Sequence, residues 1–171
     1  MDATSKSALW AQLSASLTML ENAIRACPDA LWGAKREPPF WYLAYHTLFY
    51  LDLYLSPSTE GFVPPAPFTL DELDPSGVMP GRVYAKQELL DYLEHGRVKA
   101  RARVAALNAD TAAAPCDYRW IQLSPFEALL YNMRHVQHHT AQLNLILRQM
   151  DEAVPGWLAR GSKVGKLAPD W

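Results

Sequence analysis

Leu9, Leu13, Leu17, Leu20 and Ile24 recur at spacings of four, four, three and four residues. That period puts them on one face of an α-helix. A strand cannot hold it, because a strand reverses its side chains at every residue. The helix is read from about Ser5 to Ala26. It stops at Cys27-Pro28, since the residue before a proline avoids the helical region, and Pro28 to Trp32 can add a short turn of helix. Three more helical segments follow. The second enters through Pro38-Pro39, which suit a first turn, and runs to Leu55, where Ser56-Pro57-Ser58 ends it. The third spans about Ala85 to Asn108, with Leu89, Leu90, Leu93, Val104 and Leu107 inward. The fourth begins at Ser124-Pro125-Phe126-Glu127, a Ser N-cap, a first-position Pro and a Glu at the third position. It continues to about Met150 and is closed by Pro155-Gly156.

Two long connections separate these helices. Pro57 to about Tyr84 carries Pro64, Pro65, Pro67, Pro75 and Pro80 with Gly61, Gly77 and Gly81. A stretch of that length inside a compact fold is functional or packed across a surface. It also permits a crossover between helices that are not antiparallel neighbours. Ala109 to Leu123 forms the second connection, and no period-2 alternation is long enough to predict a strand of consequence. The tail from Trp157 to Trp171 is expected along the bundle, because it holds two tryptophans. Four helices with two long connections predict an all-α four-helix bundle with long crossover connections. The 171 residues are expected to form one domain.

Composition narrows the partners. The formal charge is -2 and the pI about 6.2, without the basic face that nucleic acid requires. Arg97, Lys99, Arg101 and Arg103 spread around a helix at i, i+2 spacing and read as a solvated face. Phe40 to Leu55 is apolar, but His46, Thr47 and Asp52 interrupt it, and it is shorter than the roughly 20 residues of a membrane span. Met1-Asp2-Ala3-Thr4-Ser5-Lys6 lacks a basic patch followed by an apolar run, so a signal peptide is not expected. Cys27 and Cys116 form no metal-binding pair and read as reduced thiols. A cytoplasmic protein is expected. The six Trp and eight Tyr exceed what one small core readily hides, which points to a homodimer.

The chemistry lies in the histidines. On the fourth helix Tyr131, His135, His139, Gln142 and Ile146 share a face, with His138 at its flank. His135 and His139 are separated by about 40° around the helix, His135 and His138 by about 60° in the other sense. Both pairs can reach one metal ion. His46 shares a face of the second helix with Leu43, Tyr50 and Leu53, and an inward histidine needs a partner. A metal would serve, as would a hydroxyl of Tyr45 or Tyr131. The lack of an H-E-x-x-H motif argues against a zincin protease. Three imidazoles alone would leave open positions, the mark of a catalytic site, and suit zinc, nickel, iron or copper. His95, in Glu94-His95-Gly96-Arg97, reads as exposed. No acid or base is identified: Asp52 lies nearly two turns beyond His46, and Glu127 reads as a cap. Catalytic residues are therefore unknown.

Pro28-Asp29-Ala30-Leu31-Trp32 followed by Phe40-Trp41-Tyr42-Leu43-Ala44-Tyr45-His46 resembles the second-helix entry of the DinB-like (YfiT-like) superfamily. Its fourth helix commonly carries H-x-x-x-H-R-G-Q. Here His135-Val136-Gln137-His138-His139-Thr140-Ala141-Gln142 keeps the Gln and replaces Arg-Gly by Thr-Ala. The resemblance implies an up-up-down-down bundle, often a homodimer. It implies a divalent metal, nickel or zinc, on His46, His135 and His139, with His138 left out. It also implies a metal-dependent enzyme, a thiol-dependent S-transferase or hydrolase-like, acting on a small molecule with a small thiol as a possible cofactor. The alternatives are a non-catalytic metal-binding or stress-response bundle with a vestigial site, and an interaction bundle with core histidines. The site is expected between the second and fourth helices, roofed by the 57–84 connection or the tail, and binding is expected to weaken below about pH 6.

Overall fold

The computed structural model describes residues 1–161. Its long helices are α1 (Ala3–Ala26), α3 (Phe40–Tyr54), α4 (Lys86–Ala105) and α5 (Pro125–Gln149), with the single-turn α2 (Asp29–Trp32) after the first. Local chemistry sets their ends. Asp2 caps α1, its carboxylate accepting from the Ser5 backbone N–H at 2.9 Å, so the helix starts before Ser5. Ser124 caps α5 by accepting from the Glu127 N–H at 3.2 Å. At the start of α4 the Glu88 carboxylate accepts from the Ala85 N–H at 2.7 Å while Arg82 grips it with two bonds. That guanidinium pulls the Glu88 pKa down to about 2.

One helix end differs from expectation. α4 stops at Ala105, because Asn108 and Thr111 bond each other's backbone N–H groups at 2.8 and 2.9 Å. Such side chains compete with the helical ladder. Leu107 is still buried, but beyond the helix. α5 ends at Gln149, as expected to within a residue, and Asp151 just beyond enters the left-handed region at φ 56, a conformation Asp tolerates better than most residues.

Each long helix touches two others. α1 packs on α4 and α5, and α3 packs on the same two, which leaves α1 and α3 diagonal. Directions follow from side-chain contacts. Lys6 reaches the Ala105 carbonyl at one end of α1 and Lys86 the Cys27 carbonyl at the other, 2.7 Å each, so α1 and α4 are antiparallel. Tyr84 lies against Trp41, and Lys99 bonds Ser56, so α3 and α4 run parallel. Asn132 donates to the Leu51 carbonyl at 2.9 Å, and the Tyr54 and Tyr131 rings meet at 5.0 Å, so α3 and α5 are antiparallel. The order is up, down, down, up, which corrects the up-up-down-down arrangement implied by resemblance. The 57–84 connection makes this possible. It retraces the length of α3, about 22 Å at the helical rise, so that two parallel helices can be neighbours.

The second connection contains a hairpin that periodicity could not reveal. Strands β1 (Cys116–Tyr118) and β2 (Ile121–Leu123) pair antiparallel with Cys116 opposite Leu123. Three residues are too few to display an alternation. The Tyr118 hydroxyl reaches the Tyr54 and Ser56 carbonyls at 2.9 and 3.0 Å, satisfying acceptors left over at the end of α3.

The core absorbs half of the tryptophans and tyrosines. Trp32, Trp41, Tyr45, Tyr54, Tyr84, Tyr92 and Tyr118 are buried, so the aromatic count no longer argues for a dimer. Both cysteines are free and buried, and burial pushes the Cys27 thiol up to about 12, which makes it a poor nucleophile. The tail crosses α1: the Gly161 N–H donates to the Ala11 carbonyl at 2.9 Å, and Gln12 to that of Ala159 at 3.3 Å. Trp157 lines a groove of about 220 Å³ with Gln12, Met133 and Gln137. The rest of the tail expected along the bundle lies outside the described residues. None of the described helices is long and apolar enough to cross a membrane.

The basic run on α4 is not a solvated face. Arg97 bonds Glu21 at 2.7 Å, and Lys99 pairs with Asp52, whose side chain is 1 % exposed. Tyr92 donates to the same carboxylate at 3.2 Å, and His95 Nε2 lies 3.4 Å from it. His95 is exposed as expected, yet it leans on a buried charge. Removing the cation would strand that charge in the interior. Lys99→Met is expected to destabilise the fold by about 2–3 kcal/mol, less than a fully buried pair because Lys99 is partly exposed. Asp52→Asn in the same chain should recover part of the loss. Urea unfolding of both variants followed by circular dichroism checks this.

Candidate metal centre

Antiparallel packing of α3 on α5 brings His46 opposite the α5 histidines. Ring centroids lie 4.8 Å apart for His46 and His139, 5.5 Å for His46 and His135, and 4.5 Å for His135 and His139. One nitrogen from each ring lies within 4.8 Å of the others. His138 occupies the next position around α5 and is exposed, near only His139 of this group. His95 stands apart on α4. Of the two pairings open on geometry, the fold thus gathers 135 and 139. The deepest stripe of α5 runs through Asn132, Val136, Thr140 and Leu143. The histidines sit one step to its side, half-buried.

Each ring has different neighbours. His46 Nδ1 lies 2.7 Å from Glu72 Oε2, and the Glu72 side chain is 3 % exposed. His139 Nδ1 lies 2.6 Å from Gln142 Oε1, the i+3 contact of a helix. Among the described residues His135 Nδ1 is buried without a hydrogen-bond partner, and so is Glu72 Oε1. Burial first, then the neighbouring imidazoles, pushes His135 down to about 3. Burial also pushes His139 down to about 4, against the opposing effect of its Gln142 bond. These two rings are therefore neutral at physiological pH, the form that donates a lone pair.

This donor set fits a divalent transition metal. Neutral imidazoles converge, and two of the rings hold one nitrogen against an outer acceptor, which leaves the other free. An orphaned ring nitrogen, costly in a dry site, belongs to the third. Tyr50 and Tyr54 pack against His135 at 5.6 and 5.7 Å, and Trp120 stands 6.0 Å from Tyr50 and 6.3 Å from Tyr54. Trp120 comes from the hairpin turn and is 47 % exposed. The surroundings are thus aromatic, with the 57–84 connection contributing through Glu72. Residues 157–161 of the tail, expected as another roof, lie instead against α1.

Glu72 and Trp120 were not identifiable as site residues in the sequence. Glu72 is one of three acidic residues in Asp71-Glu72-Leu73-Asp74, and nothing periodic distinguishes it. The one available signal was that an inward His46 must have a partner. That partner is a carboxylate, not the hydroxyl of Tyr45 or Tyr131. Tyr45 instead donates to the Thr69 carbonyl at 3.3 Å.

No curated protein matches this chain. The sequence model of the DinB superfamily matches residues 12–143, a span that includes all three convergent histidines and both long connections. On the strength of that match, the chain belongs to the DinB superfamily.

Proposed function

We propose that the protein binds a divalent metal, nickel or zinc, through His46, His135 and His139, and that it is a metal-dependent enzyme of the thiol-dependent S-transferase or hydrolase-like kind. The observation that supports this most is the convergence of three imidazole nitrogens within 4.8 Å, two of them on rings that burial keeps neutral. When bound, the metal supplies a Lewis acid with positions that three protein donors do not fill. The chain's own residues do the rest. Glu72 and Gln142 hold two of the ligand rings. The rings of Tyr50, Tyr54 and Trp120 limit the access of water and offer a flat apolar wall to a small substrate or thiol. Three neutral ligands also leave positive charge uncompensated, which favours an anionic partner such as a thiolate.

A vestigial site would use the same ligands, so the test must separate binding from chemistry. Metal quantification on purified protein is expected to show a bound divalent ion. His46→Ala, His135→Ala and His139→Ala should each weaken binding beyond the roughly 100-fold typical of losing an outer partner, whereas His138→Ala and His95→Ala should change it little. Equal loss with His138→Ala would discard this ligand set. On cobalt-substituted protein, millimolar thiol should alter the visible spectrum. An unchanged spectrum together with no turnover in a thiol-transfer screen would leave the non-catalytic reading.

Acid should act on the apoprotein with a definite sign. The unfolded chain carries ordinary histidines with pKa near 6.5, while folded His135 and His139 lie at about 3 and about 4. As pH falls below about 6.5 the unfolded state takes up protons first, so folding stability is full above that pH and declines toward pH 4. Urea midpoints of metal-free protein should therefore fall between pH 7 and pH 5, and His135→Leu should flatten the decline. A flat wild-type profile would contradict the burial of these rings. Proton competition with metal at these two ligands should set in toward pH 4, below the pH of about 6 expected from the sequence.

A further inference from the structure

We propose that Glu72 is the positioning residue of the three-histidine site, selecting the tautomer of His46 so that Nε2 is the nitrogen offered to the cluster. An ionised carboxylate can only accept. At 2.7 Å from Nδ1 it holds the ring as the Nδ1–H form and leaves the lone pair on Nε2. Imidazole in water has no such constraint. The outer acceptor also fixes the ring's rotation and makes Nε2 a better donor.

Two features show that the contact is built rather than incidental. The Glu72 side chain is 3 % exposed, and its second oxygen is buried without a partner among the described residues. A carboxylate placed there costs stability; it takes the His46 ring at 2.7 Å, and the Tyr42 hydroxyl also bonds its side chain. The segment that carries it is also registered on α3 independently of that contact. Tyr45 donates to the Thr69 carbonyl at 3.3 Å, and Tyr50 to the Glu72 carbonyl at 3.2 Å. Phe68 stacks on Tyr92 with centroids 4.3 Å apart. These ties use backbone carbonyls and a neighbouring ring, so shortening the Glu72 side chain leaves the segment seated and changes what His46 feels.

The tautomer can be read without metal. In ¹⁵N-labelled, metal-free full-length protein at neutral pH, long-range imidazole correlation spectra should show His46 as the Nδ1–H form. Glu72→Ala should move it toward Nε2–H, with an unchanged circular dichroism spectrum. Titration with zinc alone should then give a Kd raised by roughly 10–100-fold for Glu72→Ala. Glu72→Gln should lose less, because its amide oxygen can still accept from Nδ1–H. Should Glu72→Ala not fold, Glu72→Gln and the wild-type spectrum decide. An Nε2–H His46 in the wild type would overturn the assignment. So would a Glu72→Ala variant that folds and binds zinc like the wild type, or a cobalt spectrum in which Glu72→Gln removes a direct carboxylate ligand. The affinity arm rests on the three histidines being ligands. The two ideas fail separately: wild-type protein that shows the Nδ1–H form but binds no zinc sinks the metal reading and leaves the positioning role standing.

Discussion

The register between α3 and α5 decides where every other part of the site can be. It is fixed by one polar contact inside an apolar seam, Asn132 donating to the Leu51 carbonyl at 2.9 Å, flanked by the Tyr54–Tyr131 ring contact. Asn132 is fully buried and sits one turn before His135 and Val136. A buried amide must keep its partner or pay in desolvation, so α5 cannot slide without stranding it. Slipping α5 by a single residue would turn its histidines by about 100° and point them away from His46. The seam thus converts a packing requirement into a placement of three nitrogens.

Bringing those nitrogens together works against folding. Among the described residues His135 lacks a partner for Nδ1 and Glu72 lacks one for Oε1, and burial together with the neighbouring imidazoles makes protonating His135 or His139 costly. Each is a local violation of the rule that buried polar groups are satisfied. Such violations are not confined to the site, since Asn132 Oδ1, Thr140 Oγ1 and Asn144 Oδ1 on α5 are likewise buried without a partner among the described residues. The contrast with Asp52 is instructive. That carboxylate is as deeply buried as Glu72, yet Lys99 and Tyr92 both donate to it, and the Lys99 ammonium is fully used on Asp52 and Ser56. It is a satisfied structural pair, and Glu72 is not.

The helices and the three histidines were legible because both are local signals. Leu9 to Ile24 announce α1 by spacing, Ser124-Pro125 announces α5 by its cap, and His135 and His139 share a face by their separation alone. What could not be read is non-local. The choice of His139 over His138 depends on how α5 is rotated against α3, which a 20° difference in helical phase does not settle. The parallel pairing of α3 with α4 depends on where a long connection leads. Glu72 and Trp120 lie in connections whose residues obey no period, and they become site residues only through pairing with His46 and Tyr50. The Arg97–Lys99 run misled for the same reason: its spacing is a property of α4, but its partners Glu21 and Asp52 lie on other helices.

This division between helices and connections has a chemical consequence. The three convergent histidines stand on two helices locked by a buried seam, so their spacing is set by the scaffold. The groups that orient those histidines or bound the surrounding space come largely from the crossover and the hairpin turn, whose exposed positions can vary while Phe62, Phe68, Tyr84 and Tyr118 keep these segments seated on the core. The span of the superfamily match, 12–143, covers both kinds of element. A carboxylate carried on the crossover can set the tautomer and donor strength of one ligand while the histidines stay where they are, and a tryptophan on the hairpin can reshape the approach to them. Chemistry on this scaffold is therefore adjusted from the loops inward, with the bundle supplying a fixed trio of imidazoles.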